Sequence, residues 1–98
     1  MWYGNTKHLL ESIVRGLKTE PPQNDAEWQA QTDLVAEMAE MSEPTVNSVH
    51  GATLRYVHRP IAIKLNRAMP HVRFMLTAMR ERDRTTALAH GETSLRRL

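Results

Sequence analysis

The chain has 98 residues, 41% of them apolar, no cysteine and a net charge of +2. That is room for one domain with a modest core, and it excludes disulfides and thiolate metal centres. No stretch approaches the roughly 20 apolar residues of a membrane span, and Met1-Trp2-Tyr3-Gly4-Asn5 leads into a polar amphipathic segment unlike a signal peptide, so a cytosolic protein without membrane contact is expected.

A first helix is expected from a cap at Asn5 or Thr6 to about Lys18. Leu9, Leu10, Ile13, Val14 and Leu17 recur at helical spacing along it and form one apolar stripe. Pro21 and Pro22 end it. Asn24 is placed to cap a second helix, with Glu27 three residues on as in a capping box. Trp28, Leu34, Val35, Met38 and Met41 give that helix a buried side, and Asp33, Glu37 and Glu40 lie largely opposite. Ser42 is the next expected cap, with Pro44 in the following first turn. Val46 and Val49 continue the helical spacing until Gly51 breaks or bends it.

Residues 53–65 admit two readings. Thr53–Val57 and Ile61–Leu65 are rich in β-branched and aromatic residues and flank His58-Arg59-Pro60, as in a β-hairpin. The other reading is helix, break at Pro60, helix, and it agrees with the helical segments on either side. Pro70 interrupts again and would open a last helix. Val72, Met75, Leu76 and Met79 would face inward, with Arg73, Arg80, Arg82 and Arg84 facing water or a partner. Beyond Thr85 the pattern fades, and Gly91 and Thr93-Ser94 suggest a loose end. The expected architecture is all-α: four to five short helices in one domain over residues 1–84, a β-hairpin at 53–65 as the variant, and a flexible basic tail over 85–98.

Charge is unevenly spread. Residues 1–51 carry three bases and eight acids, a net −5; residues 52–98 carry ten bases and three acids, a net +7. Nine of those ten bases are Arg, whose planar fork donates paired hydrogen bonds to phosphates and carboxylates. The basic half would meet nucleic acid or an acidic protein surface. Alternatively the two halves attract each other, within one chain or across a homodimer. No catalytic signature is present. The five histidines are dispersed without metal-ligand spacing, there is no glycine-rich phosphate loop, and no serine has a nucleophile motif. A non-enzymatic protein without cofactor or metal is expected.

Val35-Ala36, Ala39, Ser42, Thr45-Val46 and Val49 resemble the helix-turn-helix of LacI-type repressors. The resemblance implies a second helix that enters the DNA major groove, with Thr45, Asn47, Ser48 and His50 facing duplex DNA. Glu40 stands where that family's tight turn usually has Gly, and the implied reading helix, 43–50, has no Lys or Arg. A second stretch, Thr53-Leu54-Arg55-Tyr56 with His58-Arg59, looks like the reading helix of MerR-type regulators. It excludes the first register, and it places Arg55, His58 and Arg59 at the DNA.

The other class of function is binding to a protein. Six methionines and an Arg-rich last helix suit helix-in-groove contact. By type alone, the chain is similar to small phage accessory proteins that bind and modulate or inhibit a host DNA-processing enzyme, such as a recombination nuclease. In that reading Arg73, Arg80, Arg82 and Arg84 make the contact. A dimeric antitoxin-like or scaffold protein is the third expectation.

Overall fold

The computed structural model describes the backbone of residues 2–48 and 59–98, and the side chains of residues 6–40 and 63–98. Four helices follow one another: α1 (Trp2–Thr19), α2 (Asp25–Ser48), α3 (Arg59–Arg80) and α4 (Arg84–Arg97). The described residues contain no strand. α3 is the central element. It packs most extensively on α4 and then on α2, while α1 lies on α4 and only lightly on α2.

α1 forms where its apolar stripe was read. Leu10, Ile13, Val14 and Leu17 are buried and Leu9 packs at their edge. It starts at Trp2, ahead of the expected cap. The turn into α2 uses the predicted box. The Glu27 amide donates to Asn24 Oδ1 at 2.9 Å, and the Glu27 carboxylate reaches back to the amide of Gln23 at 2.5 Å. The carboxylate thus meets the residue before the cap, where the usual box meets the cap itself.

Three expected breaks are corrected. α2 runs unbroken to Ser48, so neither the turn near Glu40 nor the cap at Ser42 forms. Glu40 is a good helix former, and the packing of Val35, Met38 and Ala39 carries the helix through it. The hairpin variant at 53–65 also fails, because Ile61–Leu65 lies inside α3; residues 53–58 are outside the described residues. Nor does Pro70 open a helix. α3 passes through it, although its missing N–H deprives the Asn66 carbonyl of a partner. Pro70 and Asn66 are both exposed, so water can serve that carbonyl. Leu65, Ala68, Met69, Val72 and Met75, all buried, hold the helix on either side.

The expected loose tail is α4, and the reason lies in its small residues. Ala87, Gly91, Ser94 and Leu98 are buried along one side of it. At Gly91 the backbone comes so close to α1 and α3 that a Cβ would meet Val14 Cγ2 at 2.7 Å and Met75 Cε at 3.2 Å. Ser94 Oγ is buried and donates to the His90 carbonyl at 2.9 Å. Residues that read as loop-formers by composition are here a close-packing face.

A tight corner joins α3 to α4. The Arg82 amide donates to the Met79 carbonyl and the Asp83 amide to the Ala78 carbonyl, at 3.1 and 2.9 Å, with Arg82 left-handed at φ 58°. This is a Schellman ending with Arg where Gly is usual. Asp83 then caps α4, accepting from the Thr86 amide at 3.1 Å. Its hydrogen bonds from Thr86 hold the carboxyl below the usual Asp range.

Candidate partner-binding face

The residues expected at a binding site fall into three groups. Thr45, Asn47 and Ser48 lie on the last turns of α2, and their side chains are outside the described residues. Arg55, His58 and the MerR-like register as far as 58 are outside them too. Arg59 opens α3, with its side chain likewise not described. Arg73, Arg80, Arg82 and Arg84 are all described, and the structure divides them.

Arg82 and Arg84 hold the fold together. Arg82 donates to Asp25 Oδ1, Gln29 Oε1, Thr32 Oγ1 and the Met79 carbonyl, all within 3.2 Å. It thereby ties the start of α2 to the α3–α4 corner. Arg84 donates from Nε to the Leu17 carbonyl at 2.6 Å and from Nη2 to the Lys18 carbonyl at 3.0 Å. A cation there satisfies carbonyls left over at the end of α1 and complements its dipole. Arg84 remains exposed and Arg82 is half-buried, while each also binds backbone or side chains of other helices. Arg73 and Arg80 are exposed on α3.

Met38, Met75 and Met79 lie on the inward sides expected for them. Met38, Met69, Met75 and Met79 are at most 1% exposed and fill the core, so they form no contact stripe. What α3 does expose is a line at helical spacing: Ile63, Arg67, Pro70, Phe74 and Thr77. Phe74 is 56% exposed, a large cost-bearing apolar surface for an isolated chain. The 22 residues of α3 include five bases and no acid. Phe74 therefore sits on a positively charged helix, which charge counting over half the chain could not resolve.

α4 extends this face across the seam. His90 stacks toward His71, with ring centroids 5.6 Å apart, and Phe74 lies 5.2 Å from His90 and 6.3 Å from His71. The His71 ring is held below the usual histidine range, first by desolvation and then by His90, Arg97 and Arg96. Those two exposed arginines are thus close enough to act on it. The aromatic trio went unread in the sequence because His71 and His90 are 19 residues apart, on two helices whose pairing is a tertiary fact.

α2 is the opposite of α3. Its 24 residues hold six acids and no base, and Asp33, Glu37 and Glu40 are exposed. Among the described residues, Arg82 with Asp25 at 3.0 Å joins a base of the basic half to an acid of the acidic half, whereas Lys18 with Glu92, between α1 and α4, pairs the minority charge of each half. Both involve well-exposed partners, so neither contributes much.

Elsewhere a cleft of about 600 Å³ lies between the end of α1, the Pro21-Pro22 turn and α2. It contains none of the predicted site residues. Among the described residues no helix is long and apolar enough to cross a membrane. Comparison with protein-family models, with curated proteins and with solved structures finds no match to this chain.

Proposed function

We propose that this chain is a small non-enzymatic accessory protein that binds a protein partner through the exposed face of α3 and α4. The observation that carries this reading is Phe74, more than half exposed on a helix that has five bases and no acid. Exposed aromatic residues and arginines are the residue types enriched at interface hot spots. Arg67, Arg73, Arg80, Arg96 and Arg97 select an acidic partner surface. The partner class remains the one expected from the sequence by type: a DNA-processing enzyme of a host cell, whose activity the bound protein modulates.

A second reading, direct binding of duplex DNA, is favoured by the same acid-free helix. It lacks a projecting reading helix over the described residues, since α2 is continuous and α3 is flanked by α2 and α4. Truncation at Met69 cannot separate the two readings, because it removes buried Val72, Met75 and Met79. Point variants can.

The native chain and Phe74→Ala are used as bait in nuclease-treated bacterial lysate, with recovered proteins identified by mass spectrometry. Recovery of a DNA-processing enzyme by the native chain, lost with Phe74→Ala, is the expected result. Equal recovery by both removes this face from the mechanism. In parallel, fluorescence anisotropy with random duplex at low salt tests the second reading. Tight, salt-sensitive binding unaffected by Phe74→Ala would replace the first reading with the second.

A further inference from the structure

α2 and α3 pack side by side and carry opposite charge. The 24 residues of α2 hold six acids and no base, and the 22 of α3 hold five bases and no acid. Asp33, Glu37 and Glu40 are exposed on the first, Arg73 and Arg80 on the second. We propose that the outward layer formed by α2 and α3 is the interface of a twofold-symmetric dimer, in which α2 of each copy lies on α3 of the other.

Each helix presents an exposed stripe at alternating spacings of three and four, which keeps its members on one face. On α2 the stripe is Ala26, Ala30, Asp33, Glu37 and Glu40. On α3 it is Ile63, Asn66, Pro70, Arg73, Thr77 and Arg80. The two helices run in opposite directions, because Asp25 meets Arg82 and, further along α2, Thr32 Oγ1 meets the Met79 carbonyl at 3.5 Å. Asp33 and Arg80 follow Thr32 and Met79, so they stand level along the helices. Glu37, about one turn further on, comes within about a turn of the level of Arg73.

A twofold axis parallel to the helices, lying over the groove between them, exchanges the places of α2 and α3 and preserves level. It sets acid-only α2 on base-only α3 twice over, with Asp33 facing Arg80 and Glu37 facing Arg73 of the second copy. The same patch serves both copies, as an isologous interface requires, so the assembly closes at two. Any other pairing of these layers sets α2 on α2 and α3 on α3, like charge on like.

The area is sufficient. A layer of two helices about 33 Å long and about 20 Å wide offers about 650 Å² per copy, so the dimer covers about 1,300 Å², within the range of stable interfaces. Ala26, Ala30, Pro70 and Ile63, the last 37% exposed, supply apolar surface to it. Ion pairs on an open surface contribute little. Within a face that excludes water they gain strength and fix which helix meets which. This surface is separate from the α3–α4 seam, since Phe74 lies against His90 of α4. Arg73 and Arg80 serve both, and the dimer does not rest on the partner reading.

The test is equilibrium sedimentation of the purified, untagged full chain, with no partner present. In low salt at submillimolar concentration, a mass twice the chain's 11.3 kDa is expected, falling toward one chain in about 0.5 M salt. This readout needs no variant. Two double charge reversals, Asp33→Lys with Glu37→Lys and Arg73→Glu with Arg80→Glu, should each weaken self-association at least about tenfold, with circular dichroism at 222 nm verifying that each stays helical. Mixed in equal amounts, the two variants should regain the dimer mass, because each then offers the charge that the other needs. A native chain that stays monomeric in low salt overturns the proposal. So does a dimer that survives both reversals, or a mixture of the two variants that stays monomeric.

Discussion

Gly91 shows most directly how a single residue depends on its surroundings. A methyl group there would sit 2.7 Å from Val14 Cγ2. Val14 is β-branched and buried, so it has little room to yield. Gly91→Ala is therefore expected to destabilise the protein by about 1–3 kcal/mol, the usual cost of overpacking, as read from urea denaturation, despite the better helix propensity of Ala. Arg82 is the second case. Its left-handed backbone costs about 1–2 kcal/mol relative to Gly, and its guanidinium offsets this by joining α2 to the corner. Both Arg82→Ala and Arg82→Gly lose the guanidinium, but only Ala keeps the strain. Thermal unfolding should rank native above Arg82→Gly and Arg82→Gly above Arg82→Ala, with the two variants separated by roughly 1 kcal/mol. Neither residue's role was legible beforehand. Gly91 reads as a helix breaker and Arg82 as a surface cation until their neighbours from other helices are in place.

At the scale of elements, local signals served well where the cause was local. The stripe of α1, its end at the double proline and the Asn24–Glu27 cap are all made by residues within a few positions of one another. They failed at Pro44, which lies within α2, and at Pro70 and Gly91, where a local break competes with packing on neighbouring helices. Pro70 gives a measure of that competition. Pro70→Ala restores an N–H for the Asn66 carbonyl on an exposed face and should stabilise α3. The expected gain is about 1–3 kcal/mol, up to the full helix penalty of Pro, seen as a raised midpoint in urea with an unchanged slope. A loss of stability would mean that the helix is shaped around the proline ring. The same substitution leaves Phe74 and the arginines in sequence, so any change in partner binding would report on the course of α3.

For the whole molecule, the main consequence is that residues 85–98 belong to the fold. α4 supplies Ala87, Gly91, Ser94 and Leu98 to the core, and Arg84 closes the end of α1. A chain ending at Asp83 is expected to lose its cooperative thermal transition, followed by circular dichroism at 222 nm. Retention of a sharp transition would restore the reading of those residues as a tail. Charge is also organised at this scale. An acid-only α2 and a base-only α3 pack side by side, yet most of their charges point outward. The molecule is therefore strongly polarised at a net charge of only +2. Partner binding through α3 and α4 should weaken as salt rises, while folding, which rests on buried Leu, Val and Met, should change little.

By itself, the sequence determined the helical class, the apolar stripe of α1, the capping box and the segregation of charge, because each depends on residue type and near-neighbour spacing. The tertiary structure decided which proline and glycine positions stay helical, since packing on two sides outweighs a missing hydrogen bond or a poor propensity. It also decided which arginines tie one helix to another. Arg82 and Arg84 were drawn into the fold by carbonyls and side chains more than 50 residues away, while Phe74, His71 and His90 were brought to one seam that no spacing along the chain defines.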